Sequence, residues 1–180
     1  YYLNYEMLFQ YLNQCGKPIV WTLHDCWAFT GHCAHFDYVK CDEWKEGCKN
    51  CQQLKRYPAS ICRDNSLQNY NLKKELFTVD KKMTIVTVSE WLKSVTQQSF
   101  LKKFPIEIIY NGIDLNVFRT IKNTNRKKYG LENKKVILGV ASVWDERKGL
   151  NTFVDLAKRL PQSMQIVLIG LIISFSLLSM

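Results

Sequence analysis

The chain has 180 residues, 47% of them hydrophobic and 23% charged, with a formal net charge of +9 from 25 basic and 16 acidic side chains. That composition excludes a disordered or collagen-like polymer and leaves room for one domain or for parts of two. The basic balance favours anionic partners, either a phosphate-bearing substrate or an anionic membrane surface. It argues against a nucleic-acid interface, because no dense Lys/Arg block is interleaved with aromatic residues. The basic clusters Lys73-Lys74, Lys81-Lys82, Lys102-Lys103 and Arg126-Lys127-Lys128 read as solvated helix faces. There are seven cysteines, and the opening residues lack the basic n-region of a signal peptide. A reducing cytosol is therefore the expected compartment, rather than a disulfide framework.

In chain order, residues 2–14 read as an amphipathic helix with Leu3, Met7, Leu8, Tyr11 and Leu12 on one face. Gly16-Lys17-Pro18 stops it. Ile19 to Leu23 is a short buried strand, rich in β-branched and aromatic residues. A long loop, 26–58, follows, dense in Cys, His and aromatic side chains. A loop of that length in a compact domain calls for a function or a staple. Asn65 to Phe77 is a helix and Met83 to Val88 a second strand. Ser89 caps the next helix, with Glu90 in its first turn and Trp91, Leu92, Val95 and Phe100 inward. Ile106 to Tyr110 is a third strand. Asn111-Gly112 turns the chain, Gly112 with a positive φ and Asn111 and Asp114 closing side-chain turns. Asp114 to Thr124 is a connector. Val136 to Ala141 is a fourth strand, Gly149 to Leu160 a helix, and Gln165 to Gly170 a fifth strand.

Strands alternating with helices predict an α/β chain with parallel sheets, broken near residues 111–125 into two incomplete units. The fifteen residues from Ile166 to Met180 carry no charge. That is short of the roughly 20 a membrane helix needs. We read residues 172–180 as an aberrant apolar tail from a truncated or shifted frame, with a short membrane anchor as the rival reading.

Three places carry chemistry. His24-Asp25 ends the first strand, and ligands bind at the carboxyl ends of parallel strands. Without further context, a loop His satisfied by backbone competes with a functional one. Arg147-Lys148-Gly149 joins a strand to a helix, where cationic side chains and free N–H groups stabilise phosphate. The rival there is a solvated basic loop. Cys33, Cys41, Cys48 and Cys51 fall within nineteen residues and include one Cys-x-x-Cys. Either they close a structural zinc site, with His32 or His35 as substitute ligands, or they are four thiols packing the loop. Cys15, Cys26 and Cys62 read as core or loop thiols.

The ordered set Trp-Thr-Leu-His-Asp-Cys-Trp (21–27), Thr-Gly-His-Cys (30–33), Val-Ser-Glu-Trp-Leu (88–92), Tyr-Asn-Gly-Ile-Asp (110–114) and Leu-Gly-Val-Ala-Ser-Val-Trp-Asp-Glu-Arg-Lys-Gly (138–149) resembles bacterial glycosyltransferase family four, over roughly residues 1–171. These are retaining enzymes of the GT-B fold, similar to those of capsule, O-antigen and exopolysaccharide assembly. The resemblance implies two Rossmann-like domains. Residues 1–115 would be the later part of the acceptor-side domain with its Cys-rich loop, and 125–171 the start of the nucleotide-sugar domain. It implies that His24 is a cleft residue beside the reacting sugar, with Asp25 orienting a hydroxyl. Lys148 matches the family's phosphate-binding Lys, with Gly149 beside it. The family's other phosphate contact is commonly an Arg where Ser142 stands, so Arg147 is expected to replace it. The family's Gly-rich loop and its E-x7-E motif would precede Tyr1 and follow Gly170, so the chain reads as an internal fragment.

The implied activity is transfer of a sugar from a nucleotide-diphosphate donor to a growing, lipid-linked surface polysaccharide. It would proceed with retention, without a catalytic cofactor, in the cytoplasm or peripherally on the inner membrane face. A glycan or lipid-linked glycan acceptor and an anionic membrane are the implied partners. The full-length parent is expected to be the active transferase and this 180-residue piece to have little or no activity alone; a truncated inactive remnant and a zinc-stapled binding module are the competing readings.

Overall fold

The computed structural model describes residues 3–56, 58–60, 63–79, 82–121 and 124–172. Cys62, Lys81 and residues 173–180 of the apolar tail lie outside them. The chain divides into two units, Tyr1–Ile113 and Asp114–Met180.

In the first unit, helix α1 (Tyr5–Gln14) begins at Asn4, whose side-chain oxygen accepts the Met7 N–H. It ends where the Cys15 N–H meets the Tyr11 carbonyl and Gly16 takes φ +65. Its inward face is not the expected one. Phe9 is buried, whereas Leu3, Met7, Leu8 and Tyr11 are exposed. The aromatic pairings decide the rotation: Phe9 stands 4.2 Å from Phe77 and 5.1 Å from Trp21, and Tyr5 meets Trp27 and Phe77 edge-on. Large rings bury more area per residue than Leu or Met, so they take the core.

Strands β1 (Ile19–Leu23), β2 (Met83–Thr87) and β3 (Ile106–Ile108) form a parallel sheet in the order β1-β2-β3. Leu23 pairs with Thr87, and Thr87 with Ile108. All three carboxyl ends therefore lie at one edge. β3 is shorter than the apolar run suggested, and Ile109 and Tyr110 are exposed beyond it. Helix α2 (Ser66–Phe77) buries a stripe of Ser66, Tyr70, Lys73 and Phe77. Lys73 was expected on a solvated face, but its spacing puts it inward. Helix α3 (Glu90–Thr96) is capped by Ser89, whose hydroxyl accepts the Leu92 N–H at 3.1 Å. It buries Leu92 and Thr96 while Trp91 faces solvent, and Phe100 belongs to a separate 3-10 turn, Phe100–Lys103. Gly112 does not adopt a positive φ. Asp114 does close a side-chain turn, accepting the Asn116 N–H at 2.8 Å.

The Cys-rich segment has three 3-10 turns, Trp27–Phe29, Asp37–Val39 and Glu43–Lys45. It supplies much of the first core: Phe29 and Trp44 are fully buried, and Phe36 stacks on Trp44 at 4.5 Å.

The second unit holds one short helical turn, α4 (Asn125–Lys128), the parallel pair β4 (Lys135–Trp144) and β5 (Met164–Ile172), and helix α5 (Leu150–Ala157). Both strands run longer than expected, and α5 is shorter. The sheet face holding Gly139, Trp144 and Leu168 meets Phe153 of α5. On the alternate positions Leu138, Val140 and Ile169 remain exposed. The expected architecture, α/β with two small parallel sheets, is what the chain adopts.

Candidate functional site

At the carboxyl edge of the first sheet, β1 delivers His24 and Asp25. His24 is exposed. The Asp25 carboxylate accepts the Trp27 N–H at 2.8 Å and so fixes the turn that follows. Cys26 is fully buried, and its N–H meets the Ala34 carbonyl at 2.9 Å. Burial, followed by Asp25 and Asp37, pushes its thiol up to about 12, so it stays protonated and inert. Lys73, which sequence reasoning assigned to solvent, reaches under this segment from α2. Its ammonium donates to the carbonyls of Trp27 at 2.8 Å and Thr30 at 2.9 Å, and lies 3.5 Å from the Trp27 ring centre. Burial lowers its pKa to about 7. The signal that identifies Lys73 is its place in the 66-70-73-77 stripe. Ser89 and Glu90 follow β2 at the same edge, and Tyr110, after β3, donates to the Glu90 carboxylate at 3.4 Å. The edge thus gathers an imidazole, carboxylates and hydroxyls on a rigid base.

In the second unit, β4 carries Ser142 at an irregularity between Val140 and Val143, where pairing with β5 shifts register. Such a bulge re-aims side chains. The turn after β4 is closed by Asp145, whose carboxylate accepts the Lys148 N–H at 2.8 Å, and by Gly149 donating to the Glu146 carbonyl at 3.0 Å. Gly149 takes φ +76 as the residue before α5, a conformation that favours glycine. Arg147 and Lys148 are both exposed on this turn. The geometry presents two cations at a strand end beside the N-terminus of α5, whose Leu150 N–H donates to the Asp145 carbonyl at 3.3 Å; cationic side chains so placed stabilise phosphate oxygens.

Cys33, Cys41, Cys48 and Cys51 line one pocket of about 170 Å³, together with His32. All four are free thiols. The Cys33 thiol donates to the Cys51 sulfur, which holds Cys51 below the ordinary thiol range and raises Cys33. The Gly31 N–H donates to the Cys48 sulfur at 3.0 Å. Burial raises the Cys48 thiol to about 11. The Nε2 atom of His32 is buried without a hydrogen-bond partner among the described residues. His35 is exposed. Among the described residues, no three His, Cys, Asp or Glu side chains already stand at the spacing of a formed metal site.

No helix among the described residues is long and apolar enough to cross a membrane. No family model matches the chain, and no solved structure matches it. Curated relatives do. The chain is 38% identical to a colanic acid biosynthesis glycosyl transferase, WcaC, of Escherichia coli, over 43% of this chain and 20% of that protein. It is 32% identical to a glycosyltransferase, YtcC, of Bacillus subtilis, over 54% and 29%. It is 34% identical to the processive diacylglycerol alpha-glucosyltransferase of Acholeplasma laidlawii, over 43% and 24%. The chain thus spans under a third of the length of each relative, and all three are named as glycosyltransferases, which supports a glycosyltransferase kinship.

Proposed function

We propose that the chain is part of a retaining glycosyltransferase of family four with the GT-B fold. It would transfer a sugar from a nucleotide-diphosphate donor to a growing, lipid-linked surface polysaccharide. The observation that carries this reading is the pair of strand-end clusters: His24-Asp25 after β1 and Arg147-Lys148-Gly149 after β4. Each lies where parallel sheets bind ligands. The relatives named for colanic acid synthesis and for glucosylating diacylglycerol support a polysaccharide or lipid-linked acceptor.

In this reading residues 1–115 belong to the acceptor side and 125–171 to the donor side. His24 touches the reacting sugar, hydrogen-bonding a hydroxyl or steadying developing charge. Asp25 orients a hydroxyl from the position that its bond to Trp27 fixes. As the glycosidic bond breaks, charge accumulates on the departing diphosphate. Arg147, Lys148, the Gly149 turn and Ser142 receive it. The reaction draws on no cofactor. The +9 charge suits the phosphates and an anionic inner-membrane surface, where the protein would sit peripherally in the cytoplasm.

The test is transfer of labelled sugar from a panel of nucleotide-diphosphate sugars to membranes of the source cells, with the protein purified at its native length. Transfer with retained anomeric configuration, reduced about a hundredfold by Lys148→Ala, is expected. No transfer from any donor, or transfer indifferent to both Lys148→Ala and His24→Ala, overturns the reading.

A further inference from the structure

We infer that Cys33, Cys41, Cys48 and Cys51 bind one zinc ion as a closed four-sulfur structural site, with buried Lys73 as its counter-charge. The inference is independent of the sugar-transfer reading. The four thiols, drawn from nineteen residues of irregular chain, converge on one pocket of about 170 Å³. Cys33 and Cys51 are already in sulfur–sulfur contact. Backbone N–H groups point at two of the sulfurs: Gly31 at Cys48, 3.0 Å away, and Gln53 at Cys51. Such donors stabilise thiolates. Two residues in the cluster take left-handed conformations without being glycine, Lys40 immediately before Cys41 and Asn50 immediately before Cys51. Left-handed backbone is unfavourable for a lysine and less so for an asparagine, and a bound ion would offset that strain.

The cluster as described is still too open for a formed site. Zinc–sulfur bonds of about 2.3 Å need the sulfurs closer together. Zinc binding therefore requires cysteine side chains of the cluster to change rotamer.

Charge supplies the second argument. Binding displaces four thiol protons to solvent and leaves a centre with two net negative charges. Buried charge needs an opposite partner. Lys73 is the one buried charged side chain among the described residues. Were they ionised, Cys48 and Cys33 would hold its charge more strongly than Asp25 does. Two carbonyls and the Trp27 ring hold the Lys73 ammonium in place, where it would neutralise half the excess charge of a tetrathiolate. The site has no open position, so its role is to hold the Cys-rich segment together.

The experiment is metal analysis of the full chain, purified without chelator, with X-ray absorption at the zinc edge and cobalt(II) substitution. About one zinc per chain with four sulfurs in its shell, and the intense visible bands of tetrahedral thiolate cobalt, are expected. Cys41→Ser and Cys51→Ser should each lose the metal, Cys15→Ser should keep it, and Lys73→Met should weaken zinc at least tenfold in chelator competition. Spectroscopy on the unmodified chain decides the matter even where a variant fails to fold. A folded chain without zinc, nitrogen in the zinc shell, an iron–sulfur chromophore, or a Cys33–Cys51 disulfide in the intact mass overturns the inference.

Discussion

Gly31 is the position where a single methyl group does the most damage. A Cβ there would overlap the Ser66 carbonyl oxygen at the start of α2 and lie 2.7 Å from the Cys48 Cβ. Neither obstacle is the tip of a flexible side chain. Carbon–carbon contact begins at about 3.5 Å, so loop and helix must part by roughly 1 Å. Overpacking of that kind sits near the upper end of its range, about 3 kcal/mol. Gly16 is the control. Its φ is +65, but a methyl group there would meet nothing within 4 Å, so Gly16→Ala carries only the left-handed penalty of about 1 kcal/mol. Urea unfolding followed by tryptophan fluorescence reads the difference, since Trp21, Trp27, Trp44 and Trp91 lie in the first unit and only Trp144 in the second. With a slope of about 2 kcal/mol per molar, the midpoints of the two variants should differ by about 1 M. Equal midpoints, or a milder loss in Gly31→Ala, would refute steric closure of the loop onto α2.

Phe77→Ala should cost about 3–5 kcal/mol in the same assay, because the ring is fully buried between Phe9 at 4.2 Å and Trp21 at 5.0 Å. Ser89→Ala removes the α3 cap and should cost about 1 kcal/mol, read as faster amide exchange at Leu92. Burial, with Glu6 adjacent, raises the Tyr5 phenol above its ordinary value. The folded chain therefore keeps that proton where the unfolded chain releases it. Stability from this group is full below about pH 10 and falls as pH rises further. Tyr5→Phe should flatten that alkaline limb in thermal melts from about pH 9 to 11, leaving the melt unchanged at neutral pH.

The strands were legible because parallel strands read as continuous apolar runs, and β1 occupies the run Ile19–Leu23, but it is not the buried strand expected: only Leu23 is buried and Val20 stands open to water. Ser89 was legible because cap chemistry is local. The face of α1 was not: Leu3, Met7 and Tyr11 share a helical side as convincingly as Tyr5 and Phe9 do. Only the distant partners Trp21, Trp27 and Phe77 decide between the two. Lys73 was legible only through the stripe it shares with Ser66, Tyr70 and Phe77, since the pair Lys73-Lys74 by itself does not say which member turns inward. Of the candidate site, the strand-end positions of His24 and Lys148 followed from element order. The engagement of Asp25 with Trp27 depends on a turn whose geometry no periodicity reports.

The uncovered side of β4 and β5 governs how the chain behaves in a tube. Leu138, Val140 and Ile169 stand open to water on a sheet of only two described strands. A pair of strands backed by one short helix is near the minimum that holds together. Amide protons there will exchange well before those of the first unit, and dyes that seek apolar surface will find it. Strand edges left unpaired among the described residues are templates for another copy. Preparations should therefore cloud with rising concentration, and mild detergent, more than added salt, should clear them.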